Sequence, residues 1–325
     1  MINGNWVDAI SKKTFDTCDP ATGKVITQVA SAETADVDLA VKAASDALNG
    51  PWKKVSGAQR GVLMNRFADE ILKAKDELIH LQSTDNGKAA FQSAHDVDFT
   101  VSIFRYNAGA AERLEGLSFS RDAGEFTNNY GYVRKEPVGV CGLITPWNFP
   151  LLMTTFKMAP MLAAGCTAVF KPPELAPLAA LKLGEIWTNL EGSVPGVVNM
   201  LPGIGSEAGE AIVDHPDVNM IHFTGSTAIG QRIMSRAAAT VKRVKLELGG
   251  KSPLIVFDDA DIHKAAVVAA IMGSLNSGQF CAAPTRFYIH EKIHDQFVEE
   301  VLKVVKSHNY GRWNEPGVFN GPLIS

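Results

Sequence analysis

The feature that most constrains this chain is a change of pattern at Val138. From there the sequence offers five short β-rich runs, VGVCGLIT, TAVFK, VVNML, NMIHF and VKLEL, each followed by ten or more residues of helical character. Strands separated by helix-length segments cannot be joined as hairpins and read as βαβ units. They predict an α/β fold class with a Rossmann-like, doubly wound parallel sheet over residues 138–250. In such sheets ligands sit at the carboxyl ends of the strands, so functional side chains are expected just after these runs.

The flanking segments differ. Residues 1–118 read as helical: Val37, Val41, Ala44 and Leu48 follow a Thr34 cap, and Leu63, Phe67, Ile71, Ala74, Leu78 and Leu81 recur every three or four residues. Asn86-Gly87 breaks that pattern, and a third helix is predicted from about Val97 to Leu114. Residues 119–137 are polar and lead to an extended stretch around Tyr130 to Arg134. After Lys251 come a strand at LIVF, a helix from Ile262 to Leu275, a strand at RFYIH and a helix from Ile293 to Lys306. The remaining NYGRWNEPGVFNGPLIS is loop-like, so residues 251–325 are expected to form an incomplete second α/β domain.

Charge and composition narrow the partners. The 325 residues carry 31 Lys and Arg against 35 Asp and Glu, a net charge of −4, which leaves no basic excess to attract a phosphate backbone or an anionic membrane. The longest apolar run, Met158 to Phe170, is bounded by Lys157 and Lys171 and falls short of the roughly 20 residues of a membrane helix. No nucleic-acid or membrane partner is expected. The N-terminal MINGNWVDAISKK has no secretory pattern, and Cys18, Cys141, Cys166 and Cys281 lie far apart with no CxxC pair. A cytoplasmic, reducing location without disulfides or a metal site follows as the expectation.

Several residues could carry chemistry. Cys281, in SGQFCAAPTR, lies in a small-residue stretch where a thiolate could be held at a turn. Glu247, in LELGGKSP, ends a β run before two glycines, a place for a general base. Asn148, in TPWNFP, is fixed between Pro146 and Pro150 and could donate to an oxyanion. Taken singly, each also reads as structure: a small buried hydrophobe, an exposed strand end, an Asn turn or helix cap. Cys141 and Cys166 read as structural. Three post-strand turns could hold a nucleotide. LPGIGSEAG, with Gly203, Gly205 and Gly209, and FTGSTAIG, with Gly225 and Gly230, place small residues at helix starts, though neither fits a standard phosphate loop. In FKPPE, Lys171 and Glu174 could meet a ribose, and an acidic group there would repel a 2′-phosphate, favouring NAD over NADP.

Together TPWNFP, KPPE, FTGST, ELGGKSP and GQFC occur in an order and spacing that closely resemble the NAD(P)-dependent aldehyde dehydrogenase superfamily, from INGNWVDA and DPATGKV to GPLIS. The resemblance implies Cys281 as nucleophile, Glu247 as general base, and Asn148 with the Cys281 backbone amide as the oxyanion hole. It implies that Lys157 supports the site or relays protons. Lys171 and Glu174 would hold the adenosine ribose, and Gly225 and Ser226 the pyrophosphate, with Trp147, Gly205, Leu248 and Gly249 completing the NAD site. Phe149, Met153, Phe156 and Phe280 would wall an apolar tunnel for an aromatic or medium-chain aldehyde.

The same resemblance divides the chain into an N-terminal helical part of the NAD domain (1–118), an oligomerisation segment (119–137), the NAD-binding core (138–250) and the start of the thiol domain (251–325). Family members are homo-oligomers and continue past GPLIS through an EIFGP segment on the nicotinamide side, so truncation relative to the family is expected. The alternative reading is a truncated, non-catalytic protein that binds NAD or pairs with a longer paralogue. A third, thioester release to coenzyme A, is disfavoured by Glu247, whose carboxylate suits activation of water.

Overall fold

The computed structural model describes residues 1–123 and 126–325, without the side chains of 121–129. An antiparallel hairpin of β1 (Thr14–Cys18) and β2 (Val25–Ala30) precedes four helices: α1 (Thr34–Asn49), α2 (Gly57–Lys73), α3 (Lys75–Asn86) and α4 (Ala90–Glu112). A second antiparallel pair, β3 (Leu117–Ala123) and β4 (Phe126–Val133), occupies the segment read as the oligomerisation element, of which residues 124 and 125 lie outside the described residues. Alternation then begins: β5 (Val140–Ile144), α5 (Pro150–Ala163), β6 (Thr167–Lys171), α6 (Leu178–Asn189), β7 (Val198–Met200), α7 (Glu210–Asp214), β8 (Met220–Gly225), α8 (Thr227–Ala237) and β9 (Arg243–Leu248). The chain continues through β10 (Ser252–Val256), α9 (Ile262–Ser274), β11 (Pro284–Ile289), α10 (His294–Lys306), β12 (Asn309–Tyr310) and β13 (Val318–Asn320).

The main sheet has the order β7-β6-β5-β8-β9, with every pair parallel. The five predicted runs form these strands, and the doubly wound expectation holds. Period-two alternation divides the central strand β5 between two cores, whereas the edge strand β9 turns only Val244, Leu246 and Leu248 inward. Cys141 and Leu143 face a cluster with Phe67, Phe104, Met158 and Trp187 from α2, α4, α5 and α6. Val140 and Ile144 face Val37 and Val41 of α1 and Ile233 of α8. Strand order reverses between β5 and β8, so the loops after those two strands open onto the crevice where such sheets bind ligands.

The local readings need five adjustments. Thr34 is the first helical residue and not the cap: Glu33 is the N-cap, and its N–H donates to Asp36 Oδ2 at 2.9 Å. The apolar repeat from Leu63 to Leu81 spans two helices, because Ala74 leaves helical geometry while both helices keep facing one core. Helix α4 begins at Ala90, seven residues before the predicted Val97, because its first turns bury Gln92, Ser93 and Asp96, polar residues that hide the apolar stripe. The terminal stretch read as loop contains the short parallel pair β12 and β13. The β1–β2 hairpin is largely exposed on both strands, which removes the alternation that would have announced it. Among the described residues no helix is long and apolar enough to cross a membrane.

Beyond β9 a second sheet pairs β10 with β11 in parallel. Its small core is Val256, Ala266, Ala269, Ile293 and Phe297.

Candidate active site

The loop after β5 runs straight into α5, whose first residue is Pro150; that ring fixes φ where a helix needs no N–H donor. Asn148 is held just before this start. Its Nδ2 donates to the Gln279 carbonyl at 2.8 Å, and its own carbonyl accepts from Asn276 Nδ2 at 2.8 Å. A carboxamide carries two N–H donors, so one remains for a second acceptor.

The segment carrying Cys281 is shaped by a left-handed turn that sequence reading did not foresee. Asn276, Ser277 and Gly278 have φ of 51°, 59° and 77°. For the two non-glycine residues this costs roughly 1–2 kcal/mol each, so other contacts must enforce it. They do: Asn276 N–H donates to Gln92 Oε1 at 3.1 Å, Ser277 N–H to Asn320 Oδ1 at 3.1 Å, and Ser277 Oγ to the Gly321 carbonyl at 2.7 Å. The turn delivers Phe280 and Cys281 to the wall of a cavity of about 600 Å³, where they meet Trp147, Asn148, Phe149, Met153 and Phe156 from the β5 loop and α5. Cys281 is exposed and free. Aromatic edges define the cavity: Phe149 and Phe280 lie 5.3 Å apart, Phe99 and Phe156 5.8 Å. His95, Asp96 and Phe99 of α4 also line it. Sequence reading missed them because they carry no motif and precede the predicted start of that helix or fall in its first turn.

Glu247 lies beside this cavity and not among its lining residues. It pairs in register with Thr224 across β8 and β9, is more than half exposed, and has Lys245 Nζ 3.8 Å from Oε1. Lys157, buried in α5, donates to Thr224 Oγ1 at 2.6 Å. Burial pulls its pKa down to about 7, against the pull of Glu247 in the other direction. His222, two residues before Thr224 on β8, is held neutral: burial, then the charges of Lys157 and Lys245, push its pKa down to about 3.

A second cavity, about 430 Å³, opens at the carboxyl ends of β5, β6 and β8. Lys171, Glu174, Gly205, Gly225, Ser226 and Trp147 line it, whereas Leu248 and Gly249 line the thiol cavity. Glu174 Oε2 accepts from the Gly205 N–H at 2.9 Å, and buried Lys171 has its Nζ 3.7 Å from the same carboxylate. Burial lowers the Lys171 pKa and Glu174 opposes the shift. At the far side Ser226 caps α8, its Oγ accepting from Ile229 N–H at 3.4 Å. A Cβ on Gly225 would come within 2.4 Å of the Phe223 ring, so only glycine lets the backbone present this helix start. A carboxylate and an ammonium at one end, and helix-start amides at the other, suit the hydroxyls and phosphates of a dinucleotide. Arg232 and Ile229 of α8 also line the cavity and were not anticipated; no motif marks them. Five residues, Pro146, Trp147, Thr224, Gly225 and Ser226, line both cavities, which therefore share a wall.

Comparison with known proteins agrees with this geometry. The aldehyde dehydrogenase family model matches residues 6–325. The chain is 47% identical over 329 residues to a mitochondrial aldehyde dehydrogenase of Leishmania tarentolae, covering 100% of this chain and 64% of that protein. It is 44% identical over 331 residues to aldehyde dehydrogenase family 2 member C4 of Arabidopsis thaliana, again spanning 64% of it. An NAD+ complex structure of aldehyde dehydrogenase from Bacillus cereus superposes with a TM-score of 0.95 at 41% identity, covering 100% of this chain and 65% of that one. The chain thus spans about 64% of the length of these curated relatives. With the parallel sheet, the paired cavities and a family match over nearly every residue, the chain belongs to the aldehyde dehydrogenase family.

Proposed function

We propose that the protein oxidises an aldehyde to a carboxylic acid with NAD+ through covalent intermediates on Cys281. The observation that carries this reading is the shared wall: a thiol in an apolar cavity adjoins a cavity whose polar groups suit a dinucleotide. Cys281 Sγ, as thiolate, adds to the aldehyde carbon, and the resulting oxyanion accepts from the free Asn148 N–H and from the Cys281 backbone amide. When bound, NAD+ supplies the hydride acceptor that turns the thiohemiacetal into a thioester. Glu247 then takes a proton from water, whose oxygen attacks the thioester carbon and releases the acid and the thiol. Lys157, titrating near neutral pH and hydrogen-bonded to Thr224 opposite Glu247, is suited to carry that proton onward.

Lys171 and Glu174 would hold the ribose, and the start of α8 at Gly225 and Ser226 the pyrophosphate. The carboxylate of Glu174 favours NAD over NADP by repelling a 2′-phosphate. The Bacillus cereus relative's NAD+ complex supports the same choice. The four aromatic edges of the thiol cavity support an aromatic or medium-chain apolar aldehyde as substrate. The β3–β4 hairpin, with Tyr130 and Tyr132 exposed, supports homo-oligomer formation through that segment. Four unpaired thiols support residence in the reducing cytoplasm.

The test is aldehyde-dependent NADH production by the purified chain with phenylacetaldehyde, and its loss in Cys281→Ala. Absence of NADH formation in the wild type across aromatic and aliphatic aldehydes would remove the catalytic reading. Product analysis with and without coenzyme A separates release to water from acyl transfer.

A further inference from the structure

The end of α3 and the turn that follows it, Asp85-Asn86-Gly87-Lys88, reach the site from a part of the chain that carries none of the residues assigned above. We propose that Asn86 and Lys88 are positioning residues for the oxyanion amide, gripping the two neighbours of Asn148. The inference rests on the role given to Cys281 and Asn148 under the proposed function.

Asn86 Nδ2 donates to the Trp147 carbonyl at 2.6 Å. Two residues later, Lys88 Nζ sits 3.7 Å from the centroid of the Phe149 ring. Asn148 lies between these two anchors, and on its other side Gln279 and Asn276 hold its amide and carbonyl. The turn can make both contacts because Gly87 adopts φ +81°, and a Cβ there would come within 2.9 Å of Pro20 and Pro322.

The charge on Lys88 is fully enclosed. Its side chain is 0% exposed and donates to Asp96 Oδ2 at 2.6 Å, with Asp96 itself 5% exposed. Gln82 Nε2 donates to the same oxygen at 2.8 Å, so the carboxylate is fixed from two sides. Asp96 lines the thiol cavity together with Phe149. A buried ion pair of this kind is weak as a source of stability, since well-packed apolar residues often do as well or better. What it supplies here is geometry: a cation locked by a carboxylate faces one side of the Phe149 ring, and the ring fixes the backbone that carries Asn148. An oxyanion donor must meet the developing charge within a few tenths of an ångström, and misplacement by about 1 Å costs on the order of 100-fold in rate.

The experiment compares wild type with Asn86→Ala and with the paired variant Lys88→Met/Asp96→Asn, which leaves no lone buried charge. Three quantities are read on the full chain: kcat and KM for phenylacetaldehyde oxidation, the dissociation constant of NAD, and the equilibrium constant for the adduct of trifluoroacetophenone with Cys281 by 19F NMR. In that adduct the thiol proton is lost to solvent, an S–C bond forms, and the ketone oxygen becomes the oxyanion that Asn148 stabilises, with no cofactor involved. Both variants are expected to lose about 10- to 100-fold in kcat and in adduct stability. The NAD dissociation constant should stay within about twofold, a split that general loosening of the fold would not produce. Unchanged kcat and adduct stability, or a parallel loss of NAD affinity, overturns the positioning role alone. A wild-type chain that forms neither adduct nor NADH overturns the thiol assignment and this inference with it. If the paired variant does not fold, Asn86→Ala, which deletes one hydrogen bond, carries the test.

Discussion

Strands β5 and β6 are buried at every position, whereas β10 and β11 are buried at one residue each. The first pair lies between two helical layers, so each face meets apolar side chains. The second meets helices α9 and α10 on one face and leaves Ile255, Phe257 and Tyr288 more than half exposed on the other. The second cavity is therefore built on a doubly covered support, while the thiol lies on the segment that leads into a half-covered sheet. Stability and chemistry are located in different parts of the chain, and substitutions should separate them.

The largest separation is expected from Cys281→Ala. The side chain is exposed and makes no core contact, so the melting temperature should hold, while aldehyde oxidation falls by on the order of 10⁴-fold or more, as for loss of a covalent nucleophile. Steady-state NADH formation beside a thermal melt checks both halves. Retention of activity would sink the thiol assignment. Phe170→Ala should do the reverse. Phe170 is 1% exposed on β6, and emptying its site costs about 3–5 kcal/mol, measured as a shift in the urea midpoint. Activity per folded molecule should change far less than after the cysteine substitution.

A smaller, pH-dependent effect marks the edge of the doubly covered region. His222 is neutral in the folded protein down to about pH 3, against 6.5 for an unperturbed imidazole. Between these values the unfolded chain binds a proton that the folded one refuses, so stability falls as pH drops from 6.5 towards 3. The slope from this residue approaches about 1.4 kcal/mol per pH unit. Above pH 6.5 it adds no slope. His222→Gln should flatten the acid limb of a urea series run from pH 4 to pH 7, and an unchanged limb would show that burial does not hold this imidazole neutral.

Smaller still is the effect of Glu174→Gln. The amide oxygen can still accept from the Gly205 N–H, so the turn should survive while the negative charge goes. The ratio of NADP to NAD dissociation constants should drop about tenfold, equivalent to about 1.4 kcal/mol. Calorimetric titration with each dinucleotide reads this, and an unchanged ratio would take cofactor choice away from Glu174.

What could be read from sequence follows the same division. Strands β5 to β8 were legible because burial forces short apolar runs, and β9 because Val244, Leu246 and Leu248 alternate with charged residues; the sequence after these strands supplies much of the lining of the second cavity. Cys281, Asn148 and Glu247 were recognisable through motifs whose spacing reflects chemistry. The support around them was not. The left-handed Asn276-Ser277-Gly278 turn is held by Gln92 and Asn320, residues 184 and 43 positions away from their turn partners in the hydrogen bonds they make. Its strain has no local signature. Lys88 and Asp96 resemble surface charges in sequence and break the apolar period that would have revealed the start of α4. Buried polar residues that position a site are illegible for the reason that they matter: their partners lie elsewhere in the chain.

The smallest effect tests the exposed face itself. Ile255 is 61% exposed and pairs in register with Tyr288, which is also exposed. Replacing an exposed apolar residue by serine removes little burial, so Ile255→Ser should shift unfolding by no more than about 0.5 kcal/mol. Run at two protein concentrations tenfold apart, the difference in midpoint between the wild type and the variant should then stay constant. A loss above about 1 kcal/mol that grows with concentration would mean that a second copy covers this face in solution, because only a contact outside the monomer makes stability depend on concentration. The contrast between a doubly covered and a half-covered sheet would then belong to the single chain alone, and the thiol turn would rest on a support completed by association.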